Sequence, residues 1–171
     1  MSEIVDIATE NVVLGSIIFY PEEYSTIAQY VPEPEAFSQK KAQALWVKIT
    51  KMIKEGKNID TAIICASLTT DEKFGGLTRG YVIEVADSEI SLAMLETYAQ
   101  AMYEKYLLRK IVAETEGIKN KALRHGEDVY SLINQAHSLM GELIRVRPGA
   151  KFTIDKAMTD TFDTMKQGSK R

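Results

Sequence analysis

The chain of 171 residues holds one cysteine, two histidines, one tryptophan and four prolines. The lone Cys65 excludes an internal disulfide and fits a reducing compartment. His125 and His137 stand twelve positions apart with Cys65 far from both, so no metal-ligand spacing is present. Long apolar runs are also missing. The most apolar stretch, "NVVLGSIIFY", falls far short of the ~20 residues that cross a bilayer. The opening "MSEIVDIATE" carries acids where a signal peptide carries lysine and arginine. Neither charge sign dominates, and the net of -3 argues against a surface built wholly to grip nucleic acid. Together these lacks point to a soluble cytoplasmic protein of one domain, or one domain with an appendage.

Catalytic constellations are missing as well. There is no G-x-S-x-G elbow, and the acids are spread along helical faces without paired-carboxylate logic. "GGLTRGYV" at 75–82 has the two glycines of a phosphate-binding loop, Gly75 and Gly80, but Tyr81 and Val82 stand where lysine and a hydroxyl would be needed. The preceding "TTDEKF" is too polar for the buried strand such a loop requires. The segment reads as a turn between two helices. No catalytic residue, cofactor site or metal site is expected within this chain.

Helical punctuation runs through almost everything that remains. Thr9 is placed to cap a first helix ending before Pro21, and "PEEYSTIAQYV" opens with proline and two acids, as a helical first turn does. Ser38 is read as the cap of "SQKKAQALWVKITKMIKEG", whose Ala42, Leu45, Trp46, Ile49, Met52 and Ile53 form a stripe and whose stop is Gly56. Asp60 caps "TAIICASL", in which Cys65 is read as a buried, inert thiol, and "RGYVIEVAD" reads as a further helix.

From Ser91 to about Arg124 there is no proline and one glycine, so a helix on the order of 50 Å long at 1.5 Å per residue is expected. Gly126 turns the chain, Asp128 caps the return helix, and "VYSLINQAHSLMGELIRV" runs back. This hairpin has apolar residues on more than one face, more than a single seam hides. Leu107, Ile111, Leu132, Leu139, Met140 and Leu143 are assigned to an oligomer interface. After Pro148 and Gly149, a last amphipathic stretch places Ile154, Met158, Phe162 and Met165 on one side as a docking face. The expected architecture is all-α: a helical globule over 1–90, a protruding antiparallel hairpin over 91–147, and a linker with its helix over 148–171.

Several segments carry a resemblance in one order. In "TENVVLGSIIFYPEEY", Glu10, Val13, Leu14, Gly15 and Ser16 form an E-x-x-V-L-G-S pattern. "PEPEAFSQKKAQALWVKITKMIKEGKNID" supplies Phe37, Trp46, Gly56, Ile59 and Asp60. "GGLTRGYVIEVAD" adds a glycine-rich turn and helix, and "TYAQAMYEKYLLRK" adds Tyr98, Ala99, Met102, Glu104 and Arg109. Over roughly residues 8 to 145 this order resembles the N-terminal domain of DnaB-type replicative DNA helicases. Ser38 and Gln39 depart from the tyrosine and histidine usual after the motif phenylalanine, which leaves partner specificity open.

The resemblance implies a non-catalytic collar. Its hairpins would pair into dimers and its dimers into a ring, a trimer of dimers, with a docking surface for primase and in some members for a helicase loader. It further implies that ATP and magnesium belong to a motor domain past Arg171, that DNA is engaged only through the full helicase, and that the last helix packs on a neighbouring motor. The alternative is a free-standing phage or mobile-element adaptor that binds host helicase or primase.

Overall fold

The computed structural model describes residues 4–88, 91–124, 126 and 128–145. The described residues are helical throughout, with no strand among them. In chain order the helices are α1 (Ile7–Phe19), α2 (Tyr24–Ile27), α3 (Lys40–Lys54), α4 (Thr61–Ala66), α5 (Thr70–Phe74), α6 (Arg79–Ala86), α7 (Leu92–Ala122) and α8 (Val129–Arg145). The expected linker helix with Ile154, Met158, Phe162 and Met165 lies outside the described residues, as does His125.

α1 is the axis of the globule. It is apolar on nearly every side, which forces a helix inside rather than against a core. Val13, Leu14 and Ile17 are fully buried, and α7, α6 and α3 pack around the helix. Its N-cap is Asp6, whose carboxylate accepts from the Thr9 backbone N–H at 3.0 Å and from the Thr9 hydroxyl at 2.8 Å. Thr9 therefore sits inside the first turn, and the cap expected there lies three residues earlier, where an acid also complements the helix dipole.

α3 matches its periodicity. Ala42, Leu45, Trp46, Ile49 and Met52 are buried, and Trp46 packs between Tyr24 and Phe37 at ring-centroid distances of 5.5 and 5.7 Å. Gly56 closes the helix at φ 66, where the Lys57 N–H reaches back to the Met52 carbonyl at 2.9 Å. The cap position belongs to Gln39, not Ser38, because the Ser38 hydroxyl is engaged elsewhere. "PEEYSTIAQYV" folds as one α-helical turn, α2, between two 3-10 turns rather than as a full helix.

α4 begins under the Asp60 cap as its sequence indicates, but Cys65 is only partly buried. α5 opens with a capping box formed by Thr69 and Glu72. α7 is one uninterrupted helix of 31 residues. Its first half is core: Leu95, Ala99, Met102, Tyr103 and Tyr106 pack into the same cluster as α1 and α3. Its second half leaves the globule, and α8 runs back along it under the Asp128 cap, which accepts from the N–H groups of Tyr130 and Ser131.

Candidate interaction site

The hairpin is held to the globule by a buried polar clasp. Glu10 is 1 % exposed and accepts from the Ser38 N–H at 3.0 and 2.9 Å and from the Ser38 hydroxyl at 3.0 Å. The Arg109 guanidinium lies 3.8 Å from the Glu10 carboxylate and donates to the carbonyls of Ile4 at 3.0 Å and Ala36 at 2.6 Å. Three segments distant in sequence thus meet at one carboxylate. Burial pushes the Glu10 carboxyl above the ordinary glutamate value, against the opposing pull of Ser38 and Arg109. Burial likewise lowers Arg109.

Further bonds pin the same root. Tyr30 donates to Glu96 at 2.7 Å, Tyr106 donates to Glu33, and Lys110 pairs with Glu33 at 3.7 Å. Burial and the Glu33 carboxylate both raise the Tyr106 hydroxyl. A cleft of about 320 Å³ opens beside it, where Pro32 and Glu33 of the globule face Leu107 of α7 and Leu143 of α8.

Beyond the root the two helices supply their own seam. Leu107 packs against the core cluster, Ile111, Leu132 and Leu143 are half-buried, and Leu139 is 7 % exposed. Lys121 donates to the Gln135 side chain at 3.0 Å near the tip. Of the six residues assigned from sequence to an oligomer interface, five therefore lie at or near this intramolecular seam, and Met140 is turned outward.

Beside the seam lies a second apolar surface. Val129, Ile133 and Met140 fall within about 40° of one another on the helical wheel, and all three are exposed, Ile133 at 57 % and Met140 at 46 %. Val129 and Ile133 stand at the rim of the seam, where they line a cleft of about 330 Å³ with Ile118 and Ala122 of α7. Tyr130 is 77 % exposed beside them, and Leu108 and Val112 are exposed on α7. Sequence reasoning took the apolar arc of α8 as a whole. Its wheel already separates Ile133 from Leu139 by roughly 120° at 3.6 residues per turn, but only the position of α7 shows which side is used.

"GGLTRGYV" forms no phosphate cradle. Gly75 ends α5, Gly76 turns the chain at φ 92, Leu77 is buried, and the Thr78 hydroxyl accepts from the Tyr81 N–H at the start of α6. Tyr81 points inward and donates to Asn11 at 3.1 Å. Among the described residues no group of His, Cys, Asp and Glu could hold a metal, and no helix is long and apolar enough to cross a membrane.

A helical globule bolted to a helical hairpin defines the class as all-α. The chain belongs to the family of DnaB-like helicase N-terminal domains, whose model matches residues 2–104. It is 25 % identical over 166 residues to the replicative DNA helicase DnaC of Bacillus subtilis, covering 95 % of this chain and 36 % of that protein. It is 24 % identical over 163 residues to the replicative DNA helicase DnaB of Geobacillus stearothermophilus, covering 93 % of this chain and 35 % of that protein. The chain thus spans about a third of the length of these relatives.

Among solved structures, the N-terminal domain of DnaB helicase from Mycobacterium tuberculosis superposes with a TM-score of 0.68 at 21 % identity, over 81 % of this chain and 97 % of that one. A DnaB-like replicative helicase, described with its interactions with primase, superposes with a TM-score of 0.62 at 24 % identity, over 96 % of this chain and 37 % of that one.

Most motif residues behind the resemblance do structural work. Val13, Leu14, Phe37 and Ala99 are fully buried, Asp60 and Gly56 bound helices, and Glu10 with Arg109 makes the clasp. The pattern reports the fold and says nothing of who binds it.

Proposed function

We propose that this chain is the collar of a replicative DNA helicase, self-associating through its hairpin and offering a docking surface to primase. The observation that carries the reading is the stripe of Val129, Ile133 and Met140 on α8, which stays exposed although its first two residues border α7 at the rim of the hairpin's own seam. A contiguous apolar stripe on a soluble domain is an interface signature, and a self-complementary patch on a hairpin suits an isologous pair. Membership of a family of helicase N-terminal domains supports the same reading, as does the neighbour described with primase.

Dimers would then close into a ring, a trimer of dimers, in a cytoplasmic replication complex. Residues 1–90 would serve as globule, 91–147 as the assembling hairpin and 148–171 as linker. Ile154, Met158, Phe162 and Met165 would dock on the motor domain of a neighbouring subunit, and ATP with magnesium would act only in that motor. Primase, and a helicase loader in some settings, would be the protein partners.

The test is sedimentation equilibrium across a wide concentration range on the wild-type chain and on Ile133→Asp/Met140→Asp. The wild type should associate to a dimer or larger ring, and the variant should be a monomer with an unchanged far-ultraviolet spectrum. A wild type that stays monomeric at the highest concentration overturns the reading. Deleting residues 148–171 should leave the dimer intact.

A further inference from the structure

We infer that the outer face of α3 is a second docking surface, built for an acidic amphipathic helix of a partner protein. The inference is independent of hairpin self-association and concerns the opposite side of the globule's best-defined helix.

The charge pattern of α3 is one-sided. Lys40, Lys41, Lys48, Lys51 and Lys54 stand in fifteen residues with no acid among them, in a chain whose net charge is -3. Lys40, Val47, Lys51 and Lys54 fall within about 60° of one another at 3.6 residues per turn, opposite the buried face of Leu45, Ile49 and Met52. A solvated helix face usually mixes both signs and supports itself through pairs three or four residues apart. This one repels itself. Lys48 is paired with Glu72 at 2.9 Å, and Lys51 lies within reach of the charge of Glu55 at the rim of the same cleft, but neither Lys51 nor Lys54 forms a close ion pair among the described residues.

Apolar surface lies in the same place. Val47 is 50 % exposed at the centre of the lysine line. On one side of it a cleft of about 790 Å³ runs between α3 and α4, with Ala44, Met52 and the exposed Ile63 among its lining. The combination selects the occupant. A row of apolar side chains at helical spacing would seat against Val47 and Ile63, and carboxylates flanking that row would meet Lys51 and Lys54. α3 is roughly 22 Å long at 1.5 Å per residue, enough for about four turns of a partner helix. A nucleic-acid strand fits less well. It gains from exposed aromatic rings, whereas Trp46 is buried between Tyr24 and Phe37 and Tyr24, which borders Lys51 and Lys54, is itself half-buried.

The probe is a fluorescein-labelled 18-residue peptide with leucines at i, i+3, i+4 and i+7 and glutamates at most other positions, read by anisotropy with the full chain. A scrambled peptide of the same composition and a 20-nucleotide single strand serve as competitors. Saturable binding is expected, weakened at least tenfold by Lys51→Glu/Lys54→Glu and by Val47→Asp, and weakened by salt for the wild type. Ile133→Asp on α8 should leave it unchanged. These three α3 positions are exposed, and if Val47→Asp disturbs the far-ultraviolet spectrum, Val47→Ser serves in its place. Equal binding of the scrambled peptide, retention of affinity in the Val47 variant, displacement by the single strand but not by the helical peptide, or loss of binding in Ile133→Asp overturns the inference.

Discussion

The globule and the outer half of the hairpin follow opposite rules. In the core of the globule, residues such as Val13, Leu14, Phe37 and Leu45 run to zero exposure, and even the charged Glu10 is enclosed with its partners in place. In the outer hairpin, Tyr130, Ile133 and Leu123 stand largely in water, and a side-chain hydrogen bond from Lys121 to Gln135 joins the helices near the tip. The same chain therefore contains a part whose apolar residues are largely enclosed and a part that leaves several of them in water. On the proposed function the globule would answer for stability and the hairpin for association, which makes the difference testable.

The largest contrast should come from Trp46→Ala against Tyr130→Ala. The first empties a site between two aromatic rings and should cost about 3–5 kcal/mol, seen as a large drop in the urea midpoint. The second removes an exposed ring and should change stability by less than about 0.5 kcal/mol. Similar midpoints for the two would erase the distinction between regions.

Next in size is the clasp. Arg109→Ala leaves the buried Glu10 carboxylate without its cation and should cost about 3 kcal/mol, with hydrogen exchange rising first in α1 and the root of α7. The pH dependence has a definite sign. Burial raises Glu10 in the folded state, so the folded chain holds that proton more tightly than the unfolded one. Its contribution is greatest at low pH and declines as pH rises from the ordinary glutamate value, about 4.3, through the raised one. Asp6 behaves oppositely, because the Thr9 N–H it accepts from lowers its folded value. Its contribution is present above the ordinary aspartate value and lost as pH falls below it. Glu10→Gln should flatten the high-pH decline and leave the acid limb, and a decline that persists in that variant would assign it to another group.

Leu139→Ala comes third, at about 2 kcal/mol, because the side chain is buried on α8, a helix that packs on α7. Amide exchange should rise in α8 while α3 stays protected. The smallest effect belongs to Lys121→Ala, which loses one hydrogen bond to Gln135 and should cost no more than about 1 kcal/mol. A larger loss would mean that the tip is more tightly built than a two-helix seam.

Local signals were readable where the answer was local. Trp46 and its stripe, the Gly56 stop and the Asp60 and Asp128 caps follow from spacing and side-chain chemistry within a few residues, and all stand where that chemistry puts them. The readings that moved depended on distant partners. Ser38 has the pattern of a helix cap, but its hydroxyl goes to Glu10, 28 positions away. Thr9 has the same pattern and yields to Asp6, three residues earlier. Leu139 and Met140 are equivalent in hydrophobicity, and only the place of α7 sends one inward and the other out. The apolar excess of the hairpin was visible in the sequence, whereas its division into used and unused faces was not. The lysine face of α3 was present in the sequence too, but it gains meaning only beside Ile63 and the cleft.

α7 has one more property, which concerns mechanics. It is a single rod rooted in the core through Tyr106 and clasped at Arg109, with no proline or glycine before Gly117 to act as a joint. From Arg109 to Ala122 the free arm is about 20 Å long at 1.5 Å per residue. A tilt of only about 6° at the clasp carries its tip roughly 2 Å, about a third of the spacing between neighbouring side chains on a helix surface. A load placed on the globule is therefore delivered to the far end of the hairpin undiminished, as a lever delivers it, and two such arms pressed together would report each other's tilt.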